Sequence, residues 1–240
     1  MKVYLNSITG IEDAIVACYI SKRTWTRELE EDIRDTCARV FDRNGKIYDN
    51  LNPDDYEKFC EWMDVLVKWG WKHITLLRYI DFSITVEGLH RGGQDDWDAH
   101  AKRYENRIIR SSTRLAEFGD EMSDYYKDKI CPTDKALQVL EIQIPGEITL
   151  DGVKYVKTVN GYVREDLKDS KDAKRGLYML SIPSNFLFKV NLTEYGHVFK
   201  ERNENGTANP EVKECCEKIA DKIEERMQWF NRNLFNKILN

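Results

Sequence analysis

Four arginines, Arg103, Arg107, Arg110 and Arg114, stand four, three and four residues apart. On a helix that spacing predicts one cationic stripe. Like charges on one face repel by roughly a few tenths of a kcal/mol per pair, so the stripe calls for compensation. Either the nearby Asp95, Asp96, Asp98 and Glu105 supply it on a surface face, or a bound anion does. Ser111, Ser112 and Thr113 beside Arg114 add hydroxyl and backbone donors, and the guanidinium fork matches phosphate or carboxylate oxygens, which makes the run a candidate phosphate clamp. With Trp97 and Tyr104 as stacking surfaces, the same stripe would suit single-stranded nucleic acid.

Other chemistries lack their residues. There is no GxSxG elbow, GxGxxG turn, Walker A loop, CxxC or HExxH, so serine hydrolysis, Rossmann dinucleotide binding and a local zinc site have no motif. His73, His90, His100 and His197 are scattered, and no metal is expected. Cys18, Cys37, Cys60, Cys131, Cys215 and Cys216 show neither disulfide-scaffold spacing nor an activating context, which points to a reducing, cytoplasmic setting. Asn191-Leu-Thr193 and Asn205-Gly-Thr207 fit a glycosylation pattern, but no secretory signal is visible to make use of them.

Bulk properties narrow the class further. The 240 residues are 41% hydrophobic, 33% charged and 11% aromatic, with a mean hydropathy of -0.62. That supports a real core and contains no apolar run able to span a bilayer. The net charge of -5, 37 basic against 42 acidic residues, gives no bulk attraction for nucleic acid, so an anion site has to be local.

The elements that would position these residues follow from periodicity. Ile11, Ala14, Ile15, Cys18 and Tyr19, then Leu29, Ile33, Cys37, Val40 and Phe41, predict two helices joined near Lys22–Thr26. Asn44-Gly45 and Asn50–Pro53 are turn chemistry, after which Pro53 opens a helix carrying Phe59, Trp62, Met63, Leu66, Val67 and Trp69 on a core face. Residues 78–87 read as a strand with Tyr79, Phe82, Ile84 and Val86 as its apolar positions. Pro145-Gly146, Asp151-Gly152 and Asn160-Gly161 break residues 141–163 into short antiparallel strands. Residues 164–174 are almost wholly charged, and 176–190 are apolar with an interruption at Pro183-Ser184-Asn185. Val212 through Leu234 and Phe235 predict a long closing helix. One α+β domain over 1–240, a mainly antiparallel sheet packed by long helices, is the expected architecture.

His73-Ile-Thr75, the strand ending Phe82-Ser-Ile-Thr-Val-Glu-Gly88, and Ser112-Thr-Arg114 resemble, in order, the His-x-Ser segment, strand and Ser-x-Arg of the flavin-dependent thymidylate synthases. Ala14–Ser21 resembles that family's first helix. Arg175, Asn191 sixteen positions on, Arg202 eleven further, then Ala208-Asn209 and Glu211, are similar to its Arg, Asn, Arg, Ala-Gln-x-x-Glu series. The resemblance departs from the family at its Arg-His-Arg signature, for which Trp97-Asp-Ala-His100-Ala and Lys102-Arg103-Tyr104 are both counterparts. Arg78, Leu115 and Thr193 also replace the family's histidine, tyrosine and arginine, and the hairpins of 142–163 stand where the family has a helical stretch.

The resemblance implies reductive methylation of dUMP at C5, with methylenetetrahydrofolate as carbon donor, FAD as redox carrier and NADPH as reductant, in a homotetramer with sites between subunits. It implies Arg202 and Ser112 at the catalytic centre, Arg114 and Arg175 with them on dUMP, and Asn191, Arg103, His100, Thr75 and His197 on the cofactor. A nucleotide-binding or regulatory protein on the same fold, or a related pyrimidine C5-modifying enzyme, is the alternative.

Overall fold

Phe82, Ile84 and Val86 alternate with Ser83, Thr85 and Glu87, and they form the middle of the central strand β2 (Asp81–His90). β2 pairs antiparallel with β1 (Lys2–Thr9) on one side and with β7 (Pro183–Asn191) on the other. β3 (Asn106–Arg110) closes the far edge, giving the order β1-β2-β7-β3. The register sets Ile84 against Leu5 and Phe188, and Val86 against Phe186. These side chains are buried on one face, as a period of two requires. This computed structural model describes residues 1–70, 72–99, 106–112, 121–170, 173–174, 177–204 and 208–226.

Helices cover the inner face. α1 (Ile11–Ser21), α2 (Arg27–Val40) and α3 (Pro53–Gly70) match the predicted helices, including the break at 22–26. Thr26 caps α2 by accepting the Leu29 N–H at 3.2 Å, which satisfies an otherwise orphaned donor. Arg39 on α2 donates twice to Asp55 on α3, both at 2.9 Å, and holds that carboxyl below the usual range. Gly10, at φ +80°, begins α1 where a Cβ would overlap the Tyr79 carbonyl oxygen, so only glycine fits. α4 (Arg91–Ala99) packs on β2 and α6 (Leu192–Phe199) on β7, while α7 (Pro210–Arg226) lies on β1 and β2. The predicted positions Val212, Cys215, Cys216, Ile219 and Ile223 of α7 are all buried. Its expected continuation through Met227, Phe230, Leu234 and Phe235 lies outside the described residues.

The central hairpins form where turn chemistry placed them. β4 (Glu147–Leu150), β5 (Val153–Thr158) and β6 (Gly161–Arg164) make a separate antiparallel sheet. Asp151 and Gly152 both take positive φ, 49° and 77°, the conformation a two-residue hairpin needs. α5 (Thr133–Val139) precedes them. Among the described residues the main core cluster draws nothing between Trp97 and Phe186, Ile108 alone packing against its edge.

Four expectations change. The strand starts at Asp81 rather than Arg78, because Leu76 and Leu77 are both buried. Adjacent inward residues suit the 3-10 turn Ile74–Tyr79 and not a strand, and Tyr79 is left half exposed. β1 was not foreseen, since a bulge between Leu5 and Ser7 shifts its alternation. Pro183 opens β7 instead of interrupting it, a position that needs no ladder donor.

The fourth change concerns the arginines. Arg107 and Arg110 lie on β3, with Ile109 opposite Leu187 and Ile108 opposite Phe188, so the predicted helical stripe does not exist there. The β-branched pair between the arginines favours the strand. Positions 107 and 110 fall on opposite faces of it.

Candidate functional site

Asn191 ends β7 and caps α6, its Oδ1 accepting the Glu194 N–H at 2.9 Å. The junction is tied to the 3-10 turn, for the Leu192 N–H donates to the Ile80 oxygen at 2.8 Å and the Thr193 hydroxyl to the Ile74 oxygen at 3.4 Å. Thr75 sits exposed on that turn, and His197 lies half-buried on α6, one turn beyond Thr193. The structure therefore gathers Asn191, Thr75 and His197 at one end of the sheet.

Ser112 lies at the other end. The preceding Ser111 N–H donates to the Asn185 oxygen at 2.9 Å, Asn185 Oδ1 accepts the Gly88 N–H at 3.1 Å, and Arg91 donates to the Ser111 oxygen at 3.2 Å. Ser112 follows this knot and is half-buried. Asn185 and Asn191 are six residues apart on one strand, which at a rise of about 3.3 Å per residue separates the two ends by roughly 20 Å. Of the arginines here, Arg110 pairs with Asp95 and Arg107 is exposed. Arg103, Arg114, Arg175 and His100 lie outside the described residues, as do Tyr104 and Glu105.

Arg202 sits in the turn Lys200–Glu204 that follows α6 and is only 8% exposed. Its Nη2 donates to the Asp96 carbonyl of α4, while its Nε is buried with no acceptor among the described residues. Four more buried polar atoms lack partners there: Gln94 Oε1 and Trp97 Nε1 on α4, and Ser181 Oγ and Ser184 Oγ at the start of β7. Orphaned buried groups each cost roughly 1–3 kcal/mol. Their concentration around α4 marks the place where a polar ligand would be rewarded.

Beside them is a network of which sequence reasoning names Asn209 and Glu211 but not their partners His90, Ser123 and Tyr126. His90 Nδ1 and Glu211 Oε2 share a close hydrogen bond, both residues being almost wholly buried. The same Oε2 accepts the Ser123 hydroxyl at 3.3 Å and the His90 N–H at 3.4 Å. Asn209 accepts the Glu211 N–H at 2.9 Å and donates to the Tyr126 hydroxyl at 3.0 Å, and the Tyr126 ring stands edge-on to His90. Glu211 lies in the first turn of α7, where the helix dipole favours a carboxylate. For His90 the sequence signal is Gly92-Gly93, because a Cβ at Gly93 would press within 2.6 Å of the imidazole.

The buried cysteines do not offer a nucleophile. Burial pushes the Cys37 thiol up to about 12 and raises Cys215 and Cys216 as well, the latter in spite of the nearby Arg202 charge. Native-state alkylation at neutral pH is expected to label exposed Cys131 well before Cys37, Cys215 or Cys216. Mass spectrometry of iodoacetamide-treated protein checks this, and early modification of Cys215 would contradict it. Trp97 offers no stacking surface either. It is fully buried, edge-on to Phe188 at 5.5 Å, so the nucleic-acid reading loses both its stripe and this aromatic.

No family profile matches the chain, and no curated protein matches it. Solved structures do. The chain is similar to thymidylate synthase X (ThyX) from Helicobacter pylori, solved with FAD and dUMP, with a TM-score of 0.57 at 12% identity over 98% of this chain and 99% of that one. A second structure, flavin-dependent thymidylate synthase ThyX from Helicobacter pylori complexed with FAD and dUMP, gives 0.56 at 13% identity with the same coverage. The α+β fold with its antiparallel sheet is thus shared along the whole chain.

Proposed function

We propose that this chain, as one domain over 1–240, is a divergent flavin-dependent thymidylate synthase that converts dUMP to dTMP. The observation that carries the reading is Arg202. It is the residue the family resemblance assigns to the nucleotide, and it is buried beside α4 with an unmet guanidinium donor, within a fold shared end to end with two structures of one such enzyme. A phosphate or pyrimidine oxygen would meet that donor. Ser112, Arg114 and Arg175 would complete the dUMP site.

Asn191, Thr75 and His197, with Arg103 and His100, would hold FAD. When bound, the flavin would carry hydride from NADPH, and methylenetetrahydrofolate would supply the carbon. The chain's own part is to bind, orient and exclude water. Its buried cysteines Cys37, Cys215 and Cys216, raised in pKa by burial, are left out of the chemistry.

This reading calls for a homotetramer, since the two ends of β7 lie too far apart to form one compact site in a single chain. Tyr4, Leu187 and Ile109 are exposed in one cross-strand row of the uncovered sheet face, a surface suited to contact with other copies. Four 28.3 kDa chains would give about 113 kDa. Favouring the non-catalytic alternative, Trp97, at one counterpart of the lost Arg-His-Arg, is locked in the core.

The test is FAD titration with and without dUMP, read by flavin absorbance and fluorescence. Tight FAD binding that dUMP strengthens is expected. No FAD binding with dUMP still bound would transfer the chain to the regulatory class. Arg202→Ala is expected to weaken dUMP binding by about 1.5–3 kcal/mol, with Arg202→Lys recovering little because it lacks the fork. Wild-type dUMP affinity in Arg202→Ala would remove the assignment.

A further inference from the structure

One orphaned buried donor lies far from α4 in sequence. Asn160 Nδ2, in the β5–β6 turn, is excluded from solvent with no acceptor among the described residues. It lines a cleft of about 350 Å³ between that hairpin and Lys168, Asp169, Lys174, Leu177 and Tyr178, which is within the size range of small-ligand pockets. The walls divide by chemistry. Val156, Val159, Leu177 and Tyr178 give an apolar and aromatic surface, while Lys168, Lys174 and Asp169 bring charge to the lining.

The lysines differ in what they have to offer. Lys157 is committed, its ammonium paired with Asp134 and donating to the Thr158 oxygen at 2.9 Å. Lys168 and Lys174 make no ion pair with any described carboxylate. Among the described lining residues, two uncommitted cations against one aspartate give a positive balance in a chain whose net charge is -5, so the attraction for anions is local.

The turn is also held in shape before any ligand arrives. The Thr158 hydroxyl donates to the Gly161 oxygen at 3.1 Å, and the Lys157 N–H to the Gly146 oxygen at 2.8 Å. Leu177 closes directly over Gly161, where a Cβ would lie 3.2 Å from its Cδ2. On the opposite wall the Leu177 N–H donates to the Lys174 oxygen at 3.0 Å. Preformed walls lower the cost of binding.

We infer that this cleft is a binding site of its own for a small organic oxyanion with a flat apolar part. The ring lies against Tyr178 and Leu177, the oxyanion meets Lys168 and Lys174, and an oxygen of the ligand accepts from Asn160 Nδ2. The inference draws only on the hairpin and the residues that face it, and does not depend on a flavin or on dUMP.

The test titrates the full chain with phenyl phosphate, phenol and inorganic phosphate by calorimetry. In parallel, protection of individual lysines from acetylation is mapped by mass spectrometry. Phenyl phosphate is expected to bind at least about tenfold more tightly than either fragment and to protect Lys168 and Lys174. Asn160→Asp and Lys174→Glu, each checked for an unchanged melting curve, are expected to lower its affinity by about tenfold or more, since each sets a negative charge beside the anion, and to leave FAD and dUMP binding as in the wild type. Three results would overturn the inference: no binding of phenyl phosphate at millimolar concentration, wild-type affinity in both variants, or displacement of phenyl phosphate by dUMP, which would merge the cleft with the nucleotide site.

Discussion

Glu211→Ala is expected to lower the stability of the chain by about 3–5 kcal/mol, the cost of stripping one partner from a buried, hydrogen-bonded pair. The carboxylate is 2% exposed and is the acceptor for three donors: the His90 ring, the His90 N–H and the Ser123 hydroxyl. Removing it leaves those donors without water or partner. In a chain of this length each kcal/mol shifts the melting temperature by roughly 2–4 °C, so a fall on the order of 10 °C should be visible by calorimetry. His90→Ala should cost a similar amount. The double variant should cost clearly less than the sum, because the two side chains act as one unit. Additive losses, or a Glu211→Ala protein that melts with the wild type, would show that the pair does not couple α7 to the end of β2.

Trp97 gives the second large effect, and its sign depends on the replacement. Trp97→Ala should cost about 3–5 kcal/mol, since the indole is fully buried against Phe186 and Phe188 and its loss opens a cavity under β7. Trp97→Phe keeps most of the packing and removes the unpartnered Nε1 donor, so it should cost less than about 1.5 kcal/mol. Denaturant unfolding of the two variants separates these outcomes. Equal, small losses would mean that the indole is not a core element, and would reopen its use as a binding surface.

What the residues disclosed in advance is what local chemistry decides. α1, α2 and α3 declared themselves through three-four spacing. The β4–β5 hairpin did so through Asp151-Gly152, whose positive φ angles few other pairs accept. β3 was hidden because four arginines at helical intervals outweighed two isoleucines, and what settles their conformation is pairing with β7 some eighty residues away. The same distance problem applies to the site. The order of Arg175, Asn191, Arg202 and Glu211 was legible through a family pattern, yet the partnership of Glu211 with His90, 121 positions apart, leaves no trace in either neighbourhood. Nor could the sequence indicate that Ser112 would stand beside one end of β7 and Asn191 at the other.

The three-stranded sheet of residues 147–164 contributes nothing to the main core cluster. A region so placed can gain, lose or exchange residues without registering in the packing that holds β2 and β7 together, because lengthening a surface excursion costs little closure entropy. Inheritance can then treat the two parts under separate accounts of selection. The four-stranded sheet and its helices would change slowly under the demands of packing, while the hairpins would be free to diversify and acquire new recognition between one lineage and the next.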